Sequence, residues 1–170
     1  SFSARQPTEF IFCPYLLKEF RNRWFLFGSK ASNLVLYNLA LDRILSVEPA
    51  KDVAFRENPD FDPDTFFEDV IGVSKNIGNT PRKIKFLATA EQSKYIMTKP
   101  LHHSQKLIHR FEDGSCELMI QVVINYEMYS VFMSYGRGIK ILSPRNAVKY
   151  MKDKLRQAAE QYNEDDIEEK

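Results

Sequence analysis

The chain has 170 residues, with 24 Lys+Arg against 23 Asp+Glu, 44% hydrophobic and 13% aromatic residues. That is enough for one ordinary domain or two small ones, and too apolar for a disordered or fibrous chain. No apolar run approaches the roughly 20 residues that cross a bilayer, no signal peptide opens the chain, and Cys13 and Cys116, about a hundred residues apart without partner spacing, imply neither a disulfide framework nor a cysteine zinc site, so the sequence reads as soluble and cytoplasmic.

The first stretch is strand-rich. Phe10-Ile11-Phe12 leads into Cys13-Pro14-Tyr15 and Leu16-Leu17, and the turn-like Arg21-Asn22-Arg23 precedes Trp24-Phe25-Leu26-Phe27, which Gly28 is expected to end. A polar stretch from Ser29 to Asn33 separates this from Leu34–Leu39, and Leu41–Val47 follows as a further strand. Short strands at about ten-residue spacing predict a small barrel or strongly bent sheet. In Asp60–Gly72, Asp62 as N-cap and Pro63 in the first turn predict a short helix. Ser74 to Arg82, with Gly78, Asn79 and Pro81, reads as a domain boundary.

Beyond it, strands and helices alternate. Lys83–Thr89 is a strand, Ala90–Thr98 a helix, and Gln105–Phe111 and Cys116–Ile124 are strands joined through Glu112-Asp113-Gly114-Ser115. Tyr126–Ser134 is helical and Ile139–Leu142 a strand, which gives a ferredoxin-like order of elements. A last helix is expected with Ser143 as N-cap and Pro144 at the opening position, placing Val148, Met151, Leu155, Ala158 and Tyr162 on one face. The domains are therefore 1–78, 79–162 and an acidic tail at 163–170. Charge follows the same division: −2 over residues 1–80 (9 basic, 11 acidic), +8 over 81–159 (14 basic, 6 acidic) and −5 over 160–170 (1 basic, 6 acidic). A basic middle suits a polyanion partner, with the tail as a screen, or else is a solvated surface before a frayed end.

No catalytic constellation assembles. His102-His103 with His109 lack the helical pair and third ligand of a zinc centre. Asp60-Phe-Asp-Pro-Asp opens like a calcium loop but has Thr65 and Ile71 where that loop needs Gly and Glu, so helix capping explains it better. Gly136-Arg-Gly138 is too short to cradle a phosphate, and Cys13 reads as an inert core thiol. No metal or cofactor is implied, and an enzyme is not expected. What remains is a set of cations and rings: Tyr15, Lys18, Arg21, Arg23, Trp24, Phe25, Tyr37 and Arg43. Guanidinium groups bond phosphate in bidentate fashion and aromatic faces stack on bases, so the set fits a nucleotide or single-stranded nucleic acid. The alternative is that Trp24 and Phe25 fill a core that the arginines edge.

At these residues the chain resembles the WYL-domain family of bacterial transcription regulators. The Trp-Tyr-Leu signature stands as Arg23-Trp24-Phe25-Leu26, preceded by Pro14–Phe20 and followed by Leu41-Asp42-Arg43-Ile44. The second half resembles that family's C-terminal extension, WCX, in His103-Ser104-Gln105, Asp113-Gly114, Tyr135-Gly136 and Ile141-Leu142-Ser143-Pro144. The resemblance implies an Sm-like or SH3-like barrel, then a ferredoxin-like α+β domain with a C-terminal helix. It implies a ligand pocket using Arg23 and Arg43 with the aromatic pair Trp24 and Phe25, and an N-terminal helix-turn-helix on duplex DNA. Phe25 replaces the motif tyrosine and loses a hydroxyl, and Tyr37 stands where many members carry arginine. The chain opens on Ser1 rather than Met, and so reads as the sensor part of a longer regulator. The expected function is effector sensing and homodimerisation in that regulator, the alternative a ligand-free assembly module.

Overall fold

The computed structural model describes residues 7–162, so the acidic tail at 163–170 lies outside the described residues. The chain divides into two units: one reaches to Glu68 and includes Gly72–Asn79, and the other combines Asp69–Ile71 with the residues from Thr80 onward. Each is mixed from its own sheet, giving a three-strand antiparallel sheet first and a four-strand antiparallel sheet with helices second.

In the first unit, β1 (Phe12–Phe20), β2 (Arg23–Lys30) and β3 (Leu36–Ala40) pair in the order β1-β2-β3. Phe20 pairs with Arg23 across a two-residue turn in which Arg21 and Asn22 both have positive φ, 53° and 62°, the twist that suits a tight hairpin. Pro14, which cannot donate to a ladder, is tolerated because β1 is an edge strand and its register shifts between Pro14 and Leu16. Side chains alternate between the faces. One face carries Phe25 and Phe27 against Phe61, Phe66, Phe67 and Val73, the Phe27 and Phe67 rings lying 4.7 Å apart.

Three expectations fail here. Gly28 does not end β2, which runs on to Lys30; the missing side chain instead leaves room for the Cys13 carbonyl and the Phe12 ring. Leu41–Val47 is not a strand: Leu41–Arg43 tightens into a 3₁₀ turn closed by Ile44 N–H on the Leu41 carbonyl at 3.1 Å. With Leu45 and Val47 more than 80% exposed, among the described residues no partner strand meets them and the sheet forms no closed barrel. The helix expected in Asp60–Gly72 is a run of turns. Asp62 does cap, accepting from Asp64 N–H at 3.0 Å and the Thr65 hydroxyl at 2.7 Å. The turn fails to propagate because carbonyls a helix would use bond elsewhere: Phe66 to Lys75 Nζ (2.7 Å) and Asp69 to Val123 N–H (2.8 Å).

The second unit follows its sequence pattern closely. The elements β4 (Arg82–Ala88), α1 (Ala90–Thr98), β5 (Lys106–Arg110), β6 (Cys116–Val122), α2 (Tyr126–Ser134) and β7 (Ile139–Ser143) form the sheet order β5-β6-β4-β7. Thr89 caps α1 by accepting from Gln92 N–H, and Asn125 caps α2 by accepting from Met128 N–H at 2.7 Å while donating to the Ile71 carbonyl at 2.9 Å. Ile84, Phe86 and Ala88 of β4 and Cys116, Leu118, Ile120 and Val122 of β6 are fully buried against Ile96, Met128 and Phe132 of the helices. Burying each such aromatic or aliphatic side chain is worth roughly 1.5–3 kcal/mol. The final helix, α3 (Arg145–Glu160), starts later than expected: Ser143 stays in the ladder opposite Lys85, and Pro144 takes the cap position. It buries Ala147 and Met151, while Leu155 and Tyr162 are exposed, so the packed face covers its first two turns rather than its length.

Candidate functional site

The register of the first sheet decides which candidate residues meet. Phe25 pairs with Ala40 across β2 and β3, so two residues further along Arg23 comes opposite Asp42, and its Nη2 donates to Asp42 Oδ2 at 2.8 Å. Both side chains are about half exposed. Arg43 follows immediately in the 3₁₀ turn. Arg21 sits in the hairpin turn two residues before Arg23, its guanidinium 5.4 Å from the Phe20 ring centroid. One end of the sheet thus gathers Arg21, Arg23 and Arg43 with Asp42 among them.

Trp24 and Phe25 are neighbours in a strand and therefore face opposite ways. Phe25 turns to the aromatic core, whereas Trp24 is 51% exposed on the other face, opposite Glu19 of β1. Trp24 also borders a groove of about 500 Å³ along the β1 edge, lined further by Leu17, Lys18, Glu19, Pro63 and Phe67. Lys18 pairs with Phe25 in the ladder and holds its Nζ 5.0 Å from the Phe67 ring centroid. Beside the groove, hydrogen bonds from the Thr65 hydroxyl and then the Asp64 N–H hold the Asp62 carboxyl below its ordinary range.

Tyr15 and Tyr37 lie elsewhere. Tyr37 pairs with Gly28, five residues from Arg23 and so roughly 17 Å along the strand, where Lys30 Nζ stands 5.0 Å from its ring centroid. The Tyr15 hydroxyl bonds the Ser29 hydroxyl and donates to the Arg56 carbonyl at 2.8 Å, and its ring packs on Phe61 at 5.6 Å. At this end of the sheet the ladder sets Arg23 and Lys18 on the face that also bears Phe25 and sets Trp24 on the opposite face, with Arg43 in the turn after β3, while Tyr15 and Tyr37 lie at the far end. Asp42 is the residue that sequence reasoning passed over: it sits beside Arg43 inside the quoted motif, but only the register shows that it is the partner of Arg23. Chemically, the hairpin end offers guanidinium donors for an anion and an exposed indole face for a planar ring, with one carboxylate already in competition.

The second unit is the better identified of the two: residues 80–159 match the family model of the WCX domain. Among solved structures, the chain is similar to the proteasome accessory factor B/C (PafBC) of Arthrobacter aurescens, at 16% identity and a TM-score of 0.43 over 92% of this chain. The chain spans 23% of the length of that protein. No curated protein matches it.

Proposed function

We propose that the chain is the effector-sensing and self-association region of a DNA-binding transcription regulator, and that a nucleotide or single-stranded nucleic acid binds the hairpin end of its first unit. The observation that carries this reading is that Arg21, Arg23, Arg43 and the exposed Trp24 all stand at one end of the sheet, with the Trp24 ring on the face opposite Arg23. The WCX domain at residues 80–159 supports the regulator class, because the resemblance of the first half is to the domain that such extensions follow. Arg23 and Arg43 take the ligand's phosphate, and the ligand passes around the end of the sheet to stack a base on Trp24, while Phe25 anchors the Arg23 face in the aromatic core. Ligand binding shifts the arrangement of two copies and so moves DNA-reading helices outside these residues, a coupling between two sites.

The test is a titration of labelled single-stranded oligonucleotides and of free nucleotides against the wild type and the R23A/R43A double variant, with sedimentation in parallel. A loss of affinity in the variant, steepest at low salt, is the expected result. Equal affinity in both proteins removes the proposed site. A dimer that no compound in the panel stabilises would favour the ligand-free assembly role instead.

A further inference from the structure

The four strands of the second unit carry Arg82, Lys83, Lys85, Lys106, Arg110 and Lys140 against a single carboxylate, Glu117. The register sorts these cations. The helices cover the face that bears Ile84, Phe86, Leu118 and Ile120, so the alternate residues Lys83, Lys85 and Leu87 of β4 lie on the opposite face. Lys85 pairs with Met119, which pairs with Lys106; Leu87 pairs with Lys140 on one side and with Glu117, the partner of His109, on the other. Four lysines from three strands therefore share one open sheet face. All four are exposed, and Glu117 reaches Lys85 at 3.4 Å. With strands about 4.8 Å apart, Lys85 and Lys106 stand roughly 10 Å apart across Met119.

The same face carries rings. His109 and Phe111 are two residues apart, their centroids separated by 4.5 Å at an interplanar angle of 76°, and Phe111 is 41% exposed. A positively charged sheet face with apolar side chains and rings between its cations meets the two demands of a single nucleic acid strand: charge along the backbone and surfaces on which bases stack.

The geometry points to this face as a binding site for single-stranded nucleic acid, separate from the hairpin end of the first unit. Charge complementarity selects the occupant, and the inference holds or fails independently of the regulator reading, because no residue is shared between the two sites.

The test uses the full chain and anisotropy of fluorescein-labelled oligo-dT and oligo-U, with an unlabelled duplex and an acidic polypeptide as competitors. One variant replaces the face: K83Q, K85Q, K106Q and K140Q. A second removes the same charge from exposed helical positions: K94Q, K149Q, K152Q and K154Q. If four backbone contacts are lost, the logarithmic salt slope should shrink by about 2.8, and the affinity difference between the face variant and the wild type should reach tenfold or more at 50 mM salt. The helix variant should keep most of the affinity. Replacing His109 and Phe111 by alanine should weaken binding with the salt slope unchanged. R23A/R43A should leave this slope component in place even if the hairpin site fails altogether. Equal losses in the face and helix variants would reduce the effect to net charge and overturn the proposal. Binding that R23A/R43A abolishes, or competition by duplex or acidic polypeptide as strong as by single strand, would overturn it as well. A preference between oligo-dT and oligo-U identifies which strand the face takes.

Discussion

Neutralising Asp42 is the sharpest probe of the hairpin end. In D42N the Arg23 guanidinium loses a carboxylate held at 2.8 Å, with both side chains about half exposed. Exposed pairs of this kind contribute about 0–1 kcal/mol to folding, so the variant should melt close to the wild type. The effect on an anionic ligand is larger, for two reasons that act together. The ligand no longer displaces Asp42 from Arg23, and it no longer feels a like charge at contact range, an interaction of about 1 kcal/mol at 4 Å in water and more where solvent is partly excluded. The expected gain in affinity is therefore roughly fivefold to tenfold at low salt, shrinking as ionic strength brings the screening length below about 10 Å. Anisotropy with labelled oligonucleotide and a phosphate-bearing nucleotide, run for wild type, D42N and R23A/R43A across a salt series, measures it directly. A ligand that binds the wild type and R23A/R43A differently, yet binds D42N no more tightly than the wild type at low salt, would refute the reasoning that Asp42 competes for Arg23.

Two further outcomes follow from the fold. Adding a side chain at Gly28 drives a Cβ into the Cys13 carbonyl and the Phe12 ring; because one of those atoms is backbone, G28A should cost about 3 kcal/mol in the first unit by denaturant unfolding. G78A meets nothing within 4 Å and has only its φ of +87° against it, so it should cost about 1–2 kcal/mol. A G28A protein as stable as G78A would mean that the Cys13 carbonyl and the Phe12 ring do not close over Gly28. Asp62 and Asp113, whose carboxyls are held below the ordinary carboxylate range by the Thr65 and Ser115 hydroxyls and neighbouring N–H groups, favour the folded state when ionised. Their contribution is present above the unfolded value and is lost as pH falls through the lower folded value. The urea midpoint of a D62N/D113N variant should thus converge on that of the wild type below pH 3.8, and a gap that widens on acidification would contradict the assigned hydrogen bonds.

The second unit was legible in the sequence because its local signals agree with its packing. Thr89 and Asn125 stand at the two helix starts with capping side chains, and the alternation in β4 and β6 marks the buried face without help from the rest of the chain. The first unit was less so, because several of its signals need a partner to become structure. Leu41–Val47 has the composition of a strand, yet among the described residues no strand pairs with it. Asp62 caps a turn whose carbonyls are then claimed by Lys75 and Val123. In α3, periodicity marked a stripe from Val148 to Tyr162, but the stripe is buried only as far as Met151, since amphipathic spacing does not state how much neighbour there is to pack against.

The candidate sites divide along the same line between what alternation fixes and what register fixes. That Trp24 and Phe25 point apart follows from their adjacency in a strand, and Lys83 and Lys85 share a face for the same reason. That Arg23 meets Asp42, or that Lys106 and Lys140 join the β4 lysines, depends on pairings between segments far apart in sequence. The consequence is electrostatic. At the hairpin end the register supplies Arg23 with a carboxylate, so an incoming anion exchanges one partner for another. On the open face of the second sheet it gathers four lysines around one glutamate, so an incoming polyanion chiefly displaces counterions. Binding to the lysine face should therefore fall more steeply with salt than binding at the arginine end, although the chain as a whole carries a formal charge of only +1.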